Sequence, residues 1–284
     1  MGDGPRQVVK RRRLRAELRN ARVAADLTQE HVADAMEWSP SKIIRIEAGS
    51  VGVSANDMKE LLRLYQVTDP KRVDELLTLA RVARERSTTY RDAPPKLQKF
   101  IDYEGAASAI RMFQTILVPG LLQTEEYARS VIRTLRPEAS KAQVDASVTI
   151  RMKRQELLER TDPVELLFVV DEAVIRRQVG GEDVMRRQVR HLAKMATKEN
   201  VTLEVVRFGA GAHPGMQGPF VILEFPDTED DDVLYLETSH GELIIKDDPE
   251  EIATHEERLA ALRKLSATPK DSVAFLERVA VGEE

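Results

Sequence analysis

The chain of 284 residues contains no cysteine. Disulfide scaffolds, thiolate metal sites and cysteine nucleophiles are thereby excluded. Aromatic residues are only 5%, with a single tryptophan, Trp38. No apolar run approaches the roughly 20 residues needed to span a bilayer. The opening segment MGDGPRQVVKRRRLRAELRN has no apolar stretch after its basic residues, so no secretory signal is read there. The expectation is a cytoplasmic protein with no membrane partner. The five histidines (His31, His191, His213, His240, His255) form no HExxH motif and no ligand pair on one helix face. No metal, no cofactor and no enzymatic activity are expected.

Hydrophobic residues at 42% and charged residues at 32% belong to a soluble globular chain, not to a collagen-like or disordered one. The length fits two domains of roughly 150 residues. Charge is unevenly spread. Residues 1–22 hold eight Lys/Arg and two acids, whereas residues 224–257 hold 14 acids and one base, Lys246. One end is cationic enough to meet a polyanion, and the remainder repels it. A solvated helix face is the alternative reading of the basic run. The pI near 5.7 excludes indiscriminate coating of nucleic acid.

The first third of the chain reads as five short helices. Leu14, Leu18, Ala21 and Ala25 make one apolar stripe on a helix from about Lys10 to Ala25. Thr28 caps a second helix of about nine residues, with Val32, Ala33 and Met36 turned inward. After a break at Glu37-Trp38, Ser39-Pro40 supplies a capping oxygen and a first-turn proline for a third helix. Ile43 and Ile46 form its inner stripe, and Gly49 ends it. Ser54 with Asp57 resembles a capping box for a fourth helix packed by Met58, Leu61, Leu62 and Tyr65. Pro70 opens a fifth, with Val73, Leu76, Leu77, Ala80 and Ala83. Two short helices joined by a tight turn within such a set form a helix-turn-helix.

The stretch LTQEHVADAM-EW-SPSKIIRIEAG resembles the helix-turn-helix of the phage-repressor-like, or Xre, family, over residues 10–66. The resemblance implies that the third helix, residues 39–48, lies in the DNA major groove, with Pro40, Ser41, Lys42 and Arg45 facing the bases. Arg45 has the two donors that guanine O6 and N7 accept. Ser41 suits either donors or acceptors, Pro40 offers shape, and Lys42 suits phosphate as well as base. Gln29 matches the family's phosphate-binding position, where free backbone N–H groups also face an anion, with a solvated first-turn residue as the alternative. Ser39 caps its helix and is also a phosphate candidate, as are Arg11, Arg12 and Arg15 of helix one. Arg22 and Glu47 match a partly buried ion pair. Trp38 is expected to plug the turn rather than stack on a base. One departure stands out: the turn position that is often glycine in the family is Glu37. A positive φ there is costly for a residue with a side chain. A single unit touches few base pairs, so a homodimer on a palindromic double-stranded DNA operator is expected.

The polar, proline-bearing stretch at 87–95, STTYRDAPP, reads as a linker between domains at 10–86 and 96–284. Beyond it, strands are expected at 109–118, 164–170, 201–208, 220–225, 233–237 and 242–245. Helices are expected at 121–135, 141–160, 184–198, 250–265 and 271–279. Such interleaving argues an α/β or α+β domain. The overall expectation is therefore mixed: an all-α five-helix helix-turn-helix domain followed by an α/β or α+β regulatory domain.

The motifs PGLLQTEEYARSVI, VDEAVIRRQVGG, GAGAHPGMQGPFVILEFP and VLYLE resemble the domain of unknown function found behind Xre-type units in Scr1-family, antitoxin-like actinobacterial regulators. The resemblance implies regulation, often with a small protein encoded alongside, and carries over no catalytic residue. The glycine-rich stretch at 209–218 lacks nucleotide-binding patterns. It reads as a mobile loop, or as an effector or partner loop containing His213, Gly215 and Gln217. Asp171 and Glu172 follow a strand, where α/β folds place sites, but they also suit the start of a helix. PGLLQT reads either as a turn with core leucines or as part of a partner surface. Function is read as sequence-specific transcriptional regulation. An antitoxin-like scaffold that restrains a small partner protein is the alternative.

Overall fold

The computed structural model describes residues 4–47, 52–84, 90, 93–225, 232–238, 241–246 and 248–283, with backbone alone at 4–12, 82, 84 and 238. The chain divides into two compact units, Met1–Arg91 and Asp92–Glu284. Gly49, His240 and most of the expected linker lie outside the described residues.

The first unit contains α1 (Gly4–Ala24), α2 (Gln29–Ala35), α3 (Pro40–Glu47), α4 (Ala55–Leu64) and α5 (Pro70–Arg84). Helix α1 begins six residues before the expected Lys10. Pro5 falls in its first turn, where a missing N–H breaks nothing, and no breaker follows. The core gathers Leu14 and Leu18 of α1, Val32 of α2, Ile43 and Ile46 of α3, Met58, Leu61 and Leu62 of α4, and Leu76 and Ala80 of α5. Leu14 and Leu18, Ile43 and Ile46, Met58 with Leu61 and Leu62, and Leu76 and Ala80 lie three or four residues apart, so each of these helices has one buried stripe. Ser54 Oγ accepts the Asp57 N–H at 3.0 Å and caps α4. The Asp57 carboxylate does not complete the expected box. It lies 3.6 Å from Lys42 Nζ, being one methylene shorter than the usual Glu.

The second unit contains α6 (Pro95–Ala106), β1 (Ala109–Gln114), α7 (Glu125–Leu135), α8 (Lys141–Arg154), β2 (Glu165–Asp171), α9 (Glu172–Arg176) and α10 (Glu182–Met195). It continues with β3 (Val201–Val206), β4 (Phe220–Glu224), β5 (Val233–Thr238), β6 (Gly241–Ile245), α11 (Pro249–Leu265) and α12 (Pro269–Val281). Pro95, assigned to the linker from sequence, is the first residue of a helix, a position its fixed φ suits. The first strand stops at Gln114, short of Val118. The next helix starts only at Glu125, where Thr124 caps it, and Gly120–Leu122 form a separate 3-10 turn. The helix expected to reach Arg160 ends at Arg154 and tightens into a 3-10 turn, Gln155–Glu159.

The six strands form one mixed sheet in the order β3-β2-β1-β4-β5-β6. Strands β1, β2 and β3 run parallel, and β4, β5 and β6 add antiparallel. One face of the sheet carries Phe113, Leu167, Val169, Phe220, Ile222 and Leu234, packed on Ile252, Leu259 and Leu262 of α11. On the other face the Phe100 ring of α6 lies 4.2 Å from that of Tyr235, and at the free edge of β3 Ser272 of α12 accepts the Val205 N–H at 3.0 Å. Burial on both faces explains why VELLFVV reads as an unbroken apolar run. Arg154 and Glu104, both buried, close an ion pair at 2.7 and 2.8 Å.

Candidate nucleic-acid interface

Helix α2 starts at a reciprocal cap. Thr28 Oγ1 accepts the His31 N–H at 3.1 Å, and His31 Nδ1 accepts the Thr28 N–H. It stops after seven residues because Glu37 enters the left-handed region at φ 54. That turn lets the Trp38 N–H reach the Ala33 carbonyl at 2.8 Å, one of the orphaned acceptors at the helix end. The turn therefore keeps the geometry a glycine would give, with a glutamate in the strained position. Trp38 is half-buried and packs against the core of the unit.

Helix α3 is held by its last residue. Glu47 accepts from Arg22 Nε at 2.7 Å, from Arg22 Nη2 at 3.1 Å and from Gln29 Nε2 at 2.8 Å. Arg22 also donates to the Leu27 carbonyl at 2.7 Å. One carboxylate thus ties α1, α2 and α3 together. The hydrogen bond to Glu47 raises the Arg22 pKa above its ordinary value, against the opposing effect of burial. Burial, and then the Glu47 charge, push the Tyr65 hydroxyl upward.

With Ile43 and Ile46 turned inward, Pro40, Ser41, Ile44 and Arg45 are exposed. Among the described residues Arg45 has no hydrogen-bond or ion-pair partner. Ser39 is exposed, and its Oγ lies 3.1 Å from Ser41 Oγ. Lys42 turns toward Trp38 and the neighbouring helix α4. Its Nζ sits 3.5 Å from the centre of the Trp38 ring and 3.6 Å from Asp57, which holds the charge to one side of the helix. Gln29 is half-buried and bound to Glu47, not a free first-turn residue. Arg11 and Arg12 lie in α1 with side chains outside the described set, and Arg15 is half-buried.

A concave cleft of about 790 Å³ lies beside α3, lined by Arg19, Val23, Thr28, Gln29, Ile44 and Glu47 among others. Arg19 and Ile44 were not picked out from sequence. Arg19 was one basic residue in a crowded run. Ile44 lies three residues after Ser41, on the neighbouring face, a spacing that could have found it.

In the second unit, His213 Nε2 lies 3.1 Å from Asp171 Oδ2, with the His213 side chain only 7% exposed. His213 Nδ1 is buried with no partner among the described residues. The glycine-rich stretch is largely exposed but is fastened at several points. Arg258 donates to the Pro214 and Gly218 carbonyls at 3.0 and 2.8 Å. Gly215 is buried so tightly that a Cβ would overlap the Phe113 ring. Gln217 is exposed. The segment lies across the carboxyl ends of β1 and β2 as a built plug.

Asp171 caps α9 through the Ala173 N–H at 2.7 Å. Glu172 accepts from Arg207, the Phe208 N–H and Arg176 at 2.9, 2.9 and 3.0 Å. Burial opposes ionisation of Glu172, but these bonds hold its pKa below the ordinary carboxylate value. In PGLLQT, Leu121 and Leu122 are buried, and Gln123 donates to the Val118 carbonyl at 2.7 Å and accepts from Arg151 at 2.8 Å. That segment is a core turn. Burial, and then the Arg154 charge, lower the Arg151 pKa to about 10. Among the described residues no group of three or more His, Asp or Glu could hold a metal ion, and no helix is long and apolar enough to cross a membrane.

Residues 13–76 match a family described as a helix-turn-helix domain, and residues 97–278 match one described as a domain of unknown function, DUF5753. Neither a curated protein nor a solved structure matches the chain. The second match spans most of the chain and most elements of the six-stranded unit, from α6 into α12. The chain belongs to the DUF5753 family, with a helix-turn-helix domain ahead of that domain.

Proposed function

We propose that the protein is a sequence-specific transcriptional regulator of the Xre type, acting in the cytoplasm as a homodimer on a palindromic double-stranded operator. Helix α3 enters the major groove, where Arg45 takes a guanine and Ser41 a neighbouring base edge. Arg19 contacts the phosphate backbone. The second unit completes the dimer or senses an effector or a small protein, and performs no catalysis. The observation that carries this reading is Arg45, exposed and without a partner among the described residues, on a helix tied by Glu47 to α1 and α2. A guanidinium carried on a fixed helix, with its donors open to solvent, is suited to bidentate base recognition.

The test is selection of bound fragments from a random DNA pool, followed by Arg45→Ala. The substitution is expected to cost about 1–3 kcal/mol and to relax preference at one base position. Unchanged base preference would remove Arg45 from the groove.

A further inference from the structure

Of the three isoleucines of α3, two are buried at 0% and 2%, whereas Ile44 is 50% exposed. At about 100° per residue, Ile44 stands some 60° from Ser41 around the helix, on the side away from Lys42. That side opens into the cleft shared with Arg19, Thr28 and Gln29. An aliphatic side chain thus lies between a polar cleft, whose lining also includes Asp26 and Glu30, and the exposed guanidinium of Arg45. The opposite flank is occupied by Lys42, drawn onto Trp38 and Asp57.

We infer that Ile44 reads the C5-methyl group of a thymine next to the guanine taken by Arg45. This rests on the groove assignment above. The major groove of B-DNA presents donors, acceptors and a single kind of apolar group, the thymine methyl. An isoleucine pressed into that groove beside any other base would cover polar edges without replacing their hydrogen bonds, which is unfavourable. Its β-branched side chain is stiff at χ1, so little rotamer entropy is lost on contact. Ser41, Ile44 and Arg45 then form the reading set, and Lys42 drops out of it.

The experiment uses the full chain and a duplex recovered by selection. Each thymine in the site is replaced singly by deoxyuridine, which removes only the methyl. At one position per half-site the unaltered protein is expected to bind the uracil duplex about three- to fivefold more weakly, the value of one buried methyl. Ile44→Ala should bind the thymine and uracil duplexes equally, and Ile44→Val should retain part of the difference. The alanine variant is checked for folding by its melting transition and Trp38 emission. Equal binding of thymine and uracil forms by the unaltered protein overturns this inference alone, as does an equal uracil penalty in Ile44→Ala. Failure to recover any preferred site overturns the DNA-binding reading as well.

Discussion

Arg22 and Glu47 meet through two hydrogen bonds, at 2.7 and 3.1 Å, across 25 residues of sequence, with side chains only 12% and 6% exposed. The carboxylate belongs to the last residue of α3, so the pair sets the tilt of α3 against α1. Removing one partner leaves the other charge buried and uncompensated. Glu47→Ala is therefore expected to destabilise the first unit by about 3 kcal/mol. Replacing both at once, Arg22→Met with Glu47→Leu, should recover most of that loss. Trp38 is the chain's only tryptophan, so its emission during urea unfolding reports on this unit. A Glu47→Ala midpoint equal to that of the parent would show that the pair adds nothing.

The strained turn gives a prediction of opposite sign. Glu37 holds φ 54 with an exposed side chain. Left-handed backbone costs a residue with a Cβ about 1–2 kcal/mol, whereas glycine carries only the extra entropy of its unfolded state. Glu37→Gly should raise stability by a net of about 0.5–1 kcal/mol, read as a higher melting temperature of the first unit. A fall in melting temperature would mean that the glutamate side chain makes a contribution its exposure does not reveal.

The first unit was largely legible in the sequence because its physics is local. Apolar residues three and four apart marked each helix, and Thr28, Ser54, Pro40 and Pro70 marked their starts. The placement of Lys42 was not legible. It depends on Asp57, fifteen residues away and on another helix, and on a ring that turns back at Glu37. In the second unit the strands were visible as apolar runs, but their order was not. Whether β1 pairs with β2 or with β4 is decided by how crossovers pack over the sheet, and both pairings occur. Helix α6 was missed because its first residue is a proline in a stretch that otherwise reads as a linker. The approach of His213 to Asp171 is likewise non-local, and the glycine content of the segment pointed to mobility where the fold uses it for close packing.

That close packing is testable. Gly215 lies under the Phe113 ring with no room for a Cβ, on a segment fastened by Arg258 and His213. Gly215→Ala must push the segment off Phe113 or shift the ring within a filled core. Such overpacking typically costs about 1–3 kcal/mol. The loss should appear in the unfolding of the second unit, followed by circular dichroism, and leave Trp38 emission at its native value until the first unit unfolds. A tolerated alanine would mean that the segment moves freely, as the glycine-rich sequence first implied.

The pH dependence of the second unit follows from His191. Its Nε2 is buried without a partner among the described residues, and burial, with a smaller push from Lys194, lowers its pKa below the ordinary histidine value of about 6.5. The folded state therefore takes up this proton less readily than the unfolded chain. Well above the ordinary histidine pKa both states are neutral at this site, and the histidine adds no pH dependence. As the pH falls through that value the unfolded chain protonates first, so stability declines until the folded-state pKa is reached. His191→Gln keeps a polar side chain of similar reach but cannot take up the proton. Urea unfolding of the parent and the variant between pH 7.5 and pH 5 should show a steeper loss for the parent, with the two curves parallel at the alkaline end. Parallel curves over the whole range would place the proton elsewhere.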